Sequence, residues 1–101
     1  MKEFKLLKIY VSEAEKWEGK PLYEQVVLLA KKESISGATV CKGFMGFGEK
    51  SHMHDTKLLR LSENLPVIID IVDTKEKIEK FLDKIEDIVS RSLVIIQDVK
   101  I

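Results

Sequence analysis

The sequence predicts an α+β fold in which a four-stranded antiparallel sheet carries two helices on one face. Segments in which apolar and polar residues alternate, as in strands, are separated by two segments with the 3.6-residue periodicity of helices. Along the chain these elements follow the order β-α-β, loop, β-α-β. Right-handed crossovers then place both helices on the same side of the sheet, which gives a ferredoxin-like βαββαβ sandwich. A chain of 101 residues suits one domain, spanning residues 1–101.

The first half of the chain is predicted to form two strands around one helix. The strands cover Lys5 to Val11 and Ala38 to Lys42, and Pro21 suits the first position of the helix because its missing N–H needs no partner there. The intervening residues, from Ser12 to Lys20, are interpreted as a loop. Gly37 is the expected left-handed stop of the helix. The residues predicted to face the core are Leu7, Ile9 and Val11 in the strand and Leu22, Val26, Leu29 and Ala30 in the helix.

The second half repeats this pattern. Lys57 to Leu61 can extend, and a nearly all-apolar run from Val67 to Val72 predicts a central strand that opens at Pro66. Asp73 to Glu76 has the spacing of a capping box, with Asp73 as the N-cap. The following helix is expected to continue to Val89. Its apolar stripe consists of Ile78, Phe81, Leu82, Ile85, Ile88 and Val89, and a last strand is predicted over Leu93 to Val99.

Two helices cannot cover both faces of a sheet. The open face is expected to carry apolar residues such as Leu6, Tyr10, Ile68 and Ile96, and burial of these residues requires another subunit. Asp70 interrupts the central strand and is interpreted as facing solvent or that neighbour. Oligomerisation is therefore predicted.

Composition excludes several classes of function. The 17 basic and 17 acidic residues cancel, which argues against a nucleic-acid partner. The single Cys41, interpreted as a small core residue, leaves no intramolecular disulfide and fits a reducing compartment. We find no signal-peptide core and no apolar run long enough for a membrane span, so a cytoplasmic protein that is not embedded in a membrane is expected. The many charged residues and few amides lean towards a thermophilic source.

Four segments of the sequence resemble the PII-like signalling proteins, and in particular their DUF190 branch. The run from Gly37 to His52 contains Gly-Ala-Thr-Val, Lys-Gly-Phe and Gly-Phe-Gly, and Leu65 to Val72 follows it in the expected order. Trp17 to Glu24 and Leu59 to Ser62 also match the DUF190 branch. The resemblance covers nearly the whole chain, from Lys5 to Val99.

The resemblance implies a homotrimer with a loop between the second and third main strands, the T-loop, that reaches towards partners. Here this loop would span roughly Phe44 to Thr56. In PII relatives, adenine nucleotides bind between subunits at its base, so an adenine nucleotide is the expected effector. The long phosphate loop of typical PII proteins is reduced to Ser90-Arg91-Ser92, which puts the usual grip on ATP in question. Members of the branch are often encoded beside a small membrane channel for fluoride, which implies a membrane channel or transporter as a partner.

The glycine-rich stretch holds the candidate ligand site. Its glycines allow positive φ and a close approach of backbone N–H groups to an anion, although loop flexibility is an alternative explanation. The aromatic rings can stack on a ligand or pack against a subunit, and the two basic residues can supply charge if another chain brings them together. The candidate ligand-binding residues are Lys42, Gly43, Phe44, Gly46, Phe47, Gly48 and Arg91.

A different kind of function is suggested by His52 and His54. They lie two residues apart and could share a metal ion with a third ligand from elsewhere, as in a metal-binding trimer similar to the CutA proteins. Histidines exposed to solvent or touching a partner are the alternative. No arrangement of acid, base and nucleophile is evident, so we expect no enzymatic activity.

Overall fold

The predicted fold class is confirmed in the computed structural model, which describes residues 1–47 and 64–101. The elements are β1 (Glu3–Ser12), β2 (Lys16–Trp17), β3 (Lys20–Pro21), α1 (Leu22–Lys32), β4 (Gly37–Lys42), β5 (Pro66–Asp73), α2 (Lys75–Ile85) and β6 (Leu93–Lys100). The main sheet has the strand order β4-β5-β1-β6, with every neighbouring pair antiparallel, and β2 and β3 form a separate hairpin. The predicted extension over Lys57 to Leu61 lies outside the described residues.

The hydrophobic core lies between the sheet and the two helices. The predicted core face of β1 is confirmed, and so is that of α1 except for Leu29, which is only partly buried. Alternate residues of β5 complete the sheet side of the core, as the two-residue period of a strand requires. The buried apolar residues are Leu7, Ile9, Val11, Leu22, Val26, Ala30, Val67, Ile69, Ile71, Ile78, Phe81, Ile85 and Val89.

The prediction that Ile96 faces the open side of the sheet was wrong. Ile96 lies opposite Leu7, and Val94 lies opposite Ile9, so both belong to the helix-covered face. The misassignment has a simple cause. The first four residues of β6 are all apolar, and alternation alone cannot tell which face of such a strand is buried.

The cap of α2 is Thr74 instead of Asp73. The Thr74 hydroxyl accepts a hydrogen bond from the backbone N–H of Lys77 at 3.3 Å. Asp73 ends β5 with its side chain buried and accepts hydrogen bonds from the backbone N–H groups of Thr74 at 2.7 Å and Ser36 at 2.8 Å. Burial alone raises the pKa of this carboxyl, but the two N–H donors and the Lys77 ammonium outweigh it, and the pKa lies below its ordinary value. Asp73 therefore ties the α1–β4 connection to the start of α2.

Three smaller features differ from the sequence-based predictions. Helix α2 ends at Ile85, although Val89 beyond it is still buried and its N–H bonds to the Ile85 carbonyl at 3.0 Å. The left-handed residue after α1 is Ser34, with φ 59°, whereas Gly37 is already in strand β4. Glu18 and Gly19 both have positive φ and form the tight turn of the β2–β3 hairpin, within a segment predicted to be a loop.

Candidate ligand site at the base of the glycine-rich loop

The glycine-rich segment leaves the sheet at the end of β4 and the chain returns to it at the start of β5. The backbone N–H of Gly43 donates to the Pro66 carbonyl at 2.7 Å, which extends the β4–β5 pairing one residue beyond Lys42. Residues 43–47, here called the loop-base turn, are the last described part of the outgoing chain. The site is thus placed at one end of the sheet by two adjacent strands.

Contact with the Pro66 ring explains two of the glycines in this turn. A Cβ atom on Gly43 would lie 2.8 Å from Pro66 Cγ, and one on Gly46 would lie 3.2 Å from the same atom. Neither glycine has a φ in the left-handed region, so the prediction that they supply positive φ was wrong. They are glycines because the turn folds directly onto the proline ring. Gly48 lies outside the described residues.

The large side chains of the loop-base turn are exposed to solvent. Phe44 is 74% exposed, Met45 57% and Phe47 68%, in contrast to the apolar residues of the core. Exposed aromatic rings beside a tightly folded backbone can stack on a planar ligand or pack against a second protein surface. Both interpretations made from the sequence for Phe44 and Phe47 thus remain predictions.

Lys42 is already paired within the chain. Its ammonium forms a salt bridge with the carboxylate of Glu13, which lies in the turn after β1. The hydrogen bond to Glu13 raises the pKa of Lys42, and the Coulombic attraction of that carboxylate adds to it. The backbone N–H of Glu13 also donates to the Leu65 carbonyl at 2.8 Å. Glu13 therefore contacts both ends of the glycine-rich segment, its side chain the outgoing strand and its backbone the returning one.

Arg91 lies far from Lys42 within one chain. It is exposed in the turns before β6, at the same end of the sheet as Lys42 but next to the opposite edge strand. Three strand spacings separate the two edges, about 14 Å. The two predicted cationic residues therefore do not meet in the single subunit.

On the open face of the sheet, an ion pair is surrounded by apolar residues. The Lys8 ammonium donates to the Asp70 carboxylate at 3.0 Å, and this bond raises the pKa of Lys8. Both side chains are partly covered, at 25% and 34% exposure. Asp70 therefore has a cationic neighbour, which the sequence analysis did not identify. By strand register, the apolar residues on this face are Phe4, Leu6, Tyr10, Ile68, Val72, Leu93, Ile95 and Val99.

Cys41 lies on the same open face, opposite Ile68 at the edge strand β4, and is exposed. The prediction that it is a core residue was wrong. The buried side of a strand is set by its register, and β4 contributes no residue to the buried core.

The two histidines cannot be placed, because His52 and His54 lie outside the described residues. Within residues 1–47 and 64–101, no group of three or more potential metal ligands is clustered. No helix in that part of the chain is both long enough and apolar enough to cross a membrane.

Glu13 is the site residue that sequence reasoning missed. It stands in the short polar run after β1 without any motif around it, and its partner Lys42 is distant in the sequence. For Pro66 the sequence predicts only that a strand opens there. Its contact with the glycines depends on the pairing of β4 with β5, which residue types alone do not specify.

Comparisons with known proteins agree with this architecture. The model of the DUF190 family, described as "Uncharacterized ACR", matches residues 4–101. The UPF0166 protein of Methanocaldococcus jannaschii is 43% identical over 95 residues, which cover 93% of this chain and 87% of that protein.

Two solved structures show the same fold at low sequence identity. CPII from Thiomonas intermedia K12, bound to ADP and bicarbonate, has a TM-score of 0.71 and 18% identity over 99% of this chain and 89% of that one. The divalent ion tolerance protein CutA1 from Ehrlichia chaffeensis has a TM-score of 0.62 and 16% identity over 100% of this chain and 85% of that one.

Proposed function

We propose that this chain, which belongs to the DUF190 family, is a PII-like regulatory protein that binds a small anionic effector and signals to a partner protein. Binding, and not catalysis, is the proposed activity. The observation that supports it most is the loop-base turn, whose tightly folded glycine backbone and exposed aromatic rings follow Lys42 at one end of the sheet.

We propose a homotrimer as the functional state. The open sheet face supports this proposal, because its apolar residues and the Lys8–Asp70 pair are not covered by either helix. A face of this kind is normally covered in an assembled protein. Light scattering at micromolar concentration should return three times the mass of one chain, and a monomer mass would remove the basis for a site between subunits.

The proposed effector is an adenine nucleotide. CPII is bound to ADP in its structure. The loop-base turn offers aromatic rings for the base, and the preceding Lys42 offers a cation for the phosphates. Arg91 would take part only from a neighbouring subunit, since it lies at the opposite sheet edge of its own chain. Without a long phosphate loop, we expect micromolar affinity or weaker, about −8 kcal/mol at best.

Thermal shift and calorimetry with AMP, ADP and ATP, with and without Mg²⁺, test this proposal. Lys42→Ala should weaken binding, while Lys84→Ala is the matched control: Lys84 is 52% exposed against 54% for Lys42, and it is also paired with a glutamate. If no adenine nucleotide at millimolar concentration changes the melting temperature or releases heat, the effector proposal fails.

The partner proposal concerns the same end of the molecule. Phe44, Met45 and Phe47 are exposed where a T-loop would leave the sheet, and aromatic residues and methionine are enriched in protein interfaces. A membrane channel or transporter is the class of partner that we propose. Replacing Phe44 and Phe47 by serine should reduce co-purification with that membrane protein, and an unchanged yield would exclude this surface as the contact.

A metal-binding function is the second candidate, favoured by the fold similarity to CutA1. In this case His52 and His54 would be the ligands. Calorimetry with zinc or copper should then give a signal that a His52→Ala, His54→Ala double variant loses. An unchanged isotherm in the double variant would rule out these ligands.

A further inference from the structure

We propose that Glu13 is an internal competitor for the effector: its carboxylate occupies Lys42 in the free protein, and the phosphate of the ligand must displace it. The inference rests on the proposed function, since it concerns how the loop-base site selects its ligand. It assigns to Glu13 the role of a residue that limits the affinity for phosphorylated ligands and does not itself bind the effector.

The position of Glu13 supports this role. Its carboxylate is salt-bridged to Lys42, the cation that leads directly into the loop-base turn. Its backbone is fixed at the same time, because its N–H bonds to the Leu65 carbonyl at 2.8 Å. The next turn of chain is also held, since the Ser12 N–H donates to the Glu15 carboxylate at 2.8 Å. The backbone that carries the Glu13 side chain is therefore anchored beside Lys42.

The Lys42–Glu13 salt bridge is strong enough to compete with a ligand and weak enough for a phosphate to displace it. Lys42 is 54% exposed and Glu13 30%, so water reaches the pair and screens it. Exposed ion pairs of this kind contribute little to stability. A phosphate group carries more negative charge than one carboxylate and accepts more hydrogen bonds, so it can take over the ammonium. A neutral ligand gains nothing from Lys42 and has no reason to displace Glu13.

This arrangement lowers the affinity of every ligand that has to use Lys42. When a phosphorylated ligand displaces Glu13, the freed carboxylate stays close to the bound phosphate. The repulsion between these two anions lowers the affinity of the ligand. A metabolite with little negative charge therefore does not displace Glu13 from Lys42. Removing its charge should tighten the binding of ADP and leave the binding of adenosine unchanged.

The test compares Glu13→Gln with Glu33→Gln in the full-length chain. Glutamine keeps the shape of the side chain, and the Glu13–Leu65 hydrogen bond involves only backbone atoms, so the fold should persist. Glu33 is the matched control: its pair with Lys84 has nearly the same exposure, 27% and 52%, but it lies at the end of α1 away from the loop base. Isothermal titration with ADP and with adenosine is carried out on the wild type and both variants.

We expect Glu13→Gln to bind ADP about threefold to tenfold more tightly than the wild type. Adenosine affinity should not change, and Glu33→Gln should match the wild type with both ligands. If the wild type binds ADP and Glu13→Gln binds it equally or more weakly, the competition is refuted while the proposed function stands. Equal tightening for adenosine also refutes it. If neither protein binds ADP at millimolar concentration, both proposals are refuted.

Discussion

Replacement of Gly43 by alanine tests whether the loop-base turn depends on the proline ring. The added Cβ would lie 2.8 Å from Pro66 Cγ, whereas unstrained carbon atoms approach to about 3.5 Å. The turn or the ring must therefore move by about 0.7 Å. The ring is closed onto the backbone nitrogen of Pro66, and the Gly43 N–H is hydrogen-bonded to the Pro66 carbonyl, so neither can move freely. Overpacking of this kind lowers the free energy of unfolding by about 1–3 kcal/mol.

Urea denaturation of the purified protein gives this value directly. Gly37→Ala is the control, because nothing lies within 4 Å of the Cβ it would add and its φ is outside the left-handed region. It should be neutral or slightly stabilising. Gly46→Ala, at 3.2 Å from Pro66 Cγ, should fall between the two. In a Pro66→Ala background most of the loss caused by Gly43→Ala should disappear. A loss below about 0.5 kcal/mol, or one that persists without the proline ring, would refute the steric explanation.

Three further substitutions test other contacts. Asp73→Asn should lower the free energy of unfolding by about 1–3 kcal/mol at neutral pH. Because the pKa of Asp73 lies below its ordinary value of 3.8, the wild type should lose this stability as the pH falls through the lowered pKa. In urea titrations between pH 2 and 7, the free energy of unfolding of the variant should depend less on pH. Thr74→Ala removes the N-cap of α2 and should lower stability by about 0.5–2 kcal/mol in the same assay, whereas Thr39→Ala on the exposed edge strand should not. Lys8→Met leaves Asp70 without its partner. If subunits cover this face, the variant oligomer should dissociate at a higher protein concentration than the wild type, as measured by light scattering. An unchanged mass profile would contradict burial of the pair.

The fold was predictable because its main signals are local. The alternation in β1 and the periodicity of α2 each identify their buried face from a few neighbouring residues. One error arose where two local signals compete. Asp73 and Thr74 are both good N-caps. Thr74 caps the helix, because the Asp73 carboxylate accepts a hydrogen bond from the backbone N–H of Ser36. A tertiary hydrogen bond decided between two equally suitable residues.

The candidate site was only partly predictable, since its residues come from separate strands. The sequence marks Lys42 and the glycines as unusual, and their types are compatible with anion binding. It does not reveal that Pro66 sits against the glycines or that Glu13 neutralises the lysine. Both contacts depend on strand register and on the path of the turn after β1, which are properties of the assembled sheet.

The pairing of Lys42 belongs to a wider pattern that constrains any anionic ligand of this protein. In the described part of the chain, the five ion pairs all take their cation from lysine, and the net charge of the whole sequence is zero. Such a surface does not attract anions by an excess of positive charge, in contrast to a nucleic-acid binder. At Lys42, an anion has to outcompete the carboxylate of Glu13. At the loop base, the exposed Lys42–Glu13 pair lies next to a backbone turn and aromatic rings. A ligand can contact this turn and these rings as well as the lysine, which the carboxylate of Glu13 does not do. Selectivity would then come from the number of charges and hydrogen bonds a ligand brings, which favours phosphates over simple carboxylates.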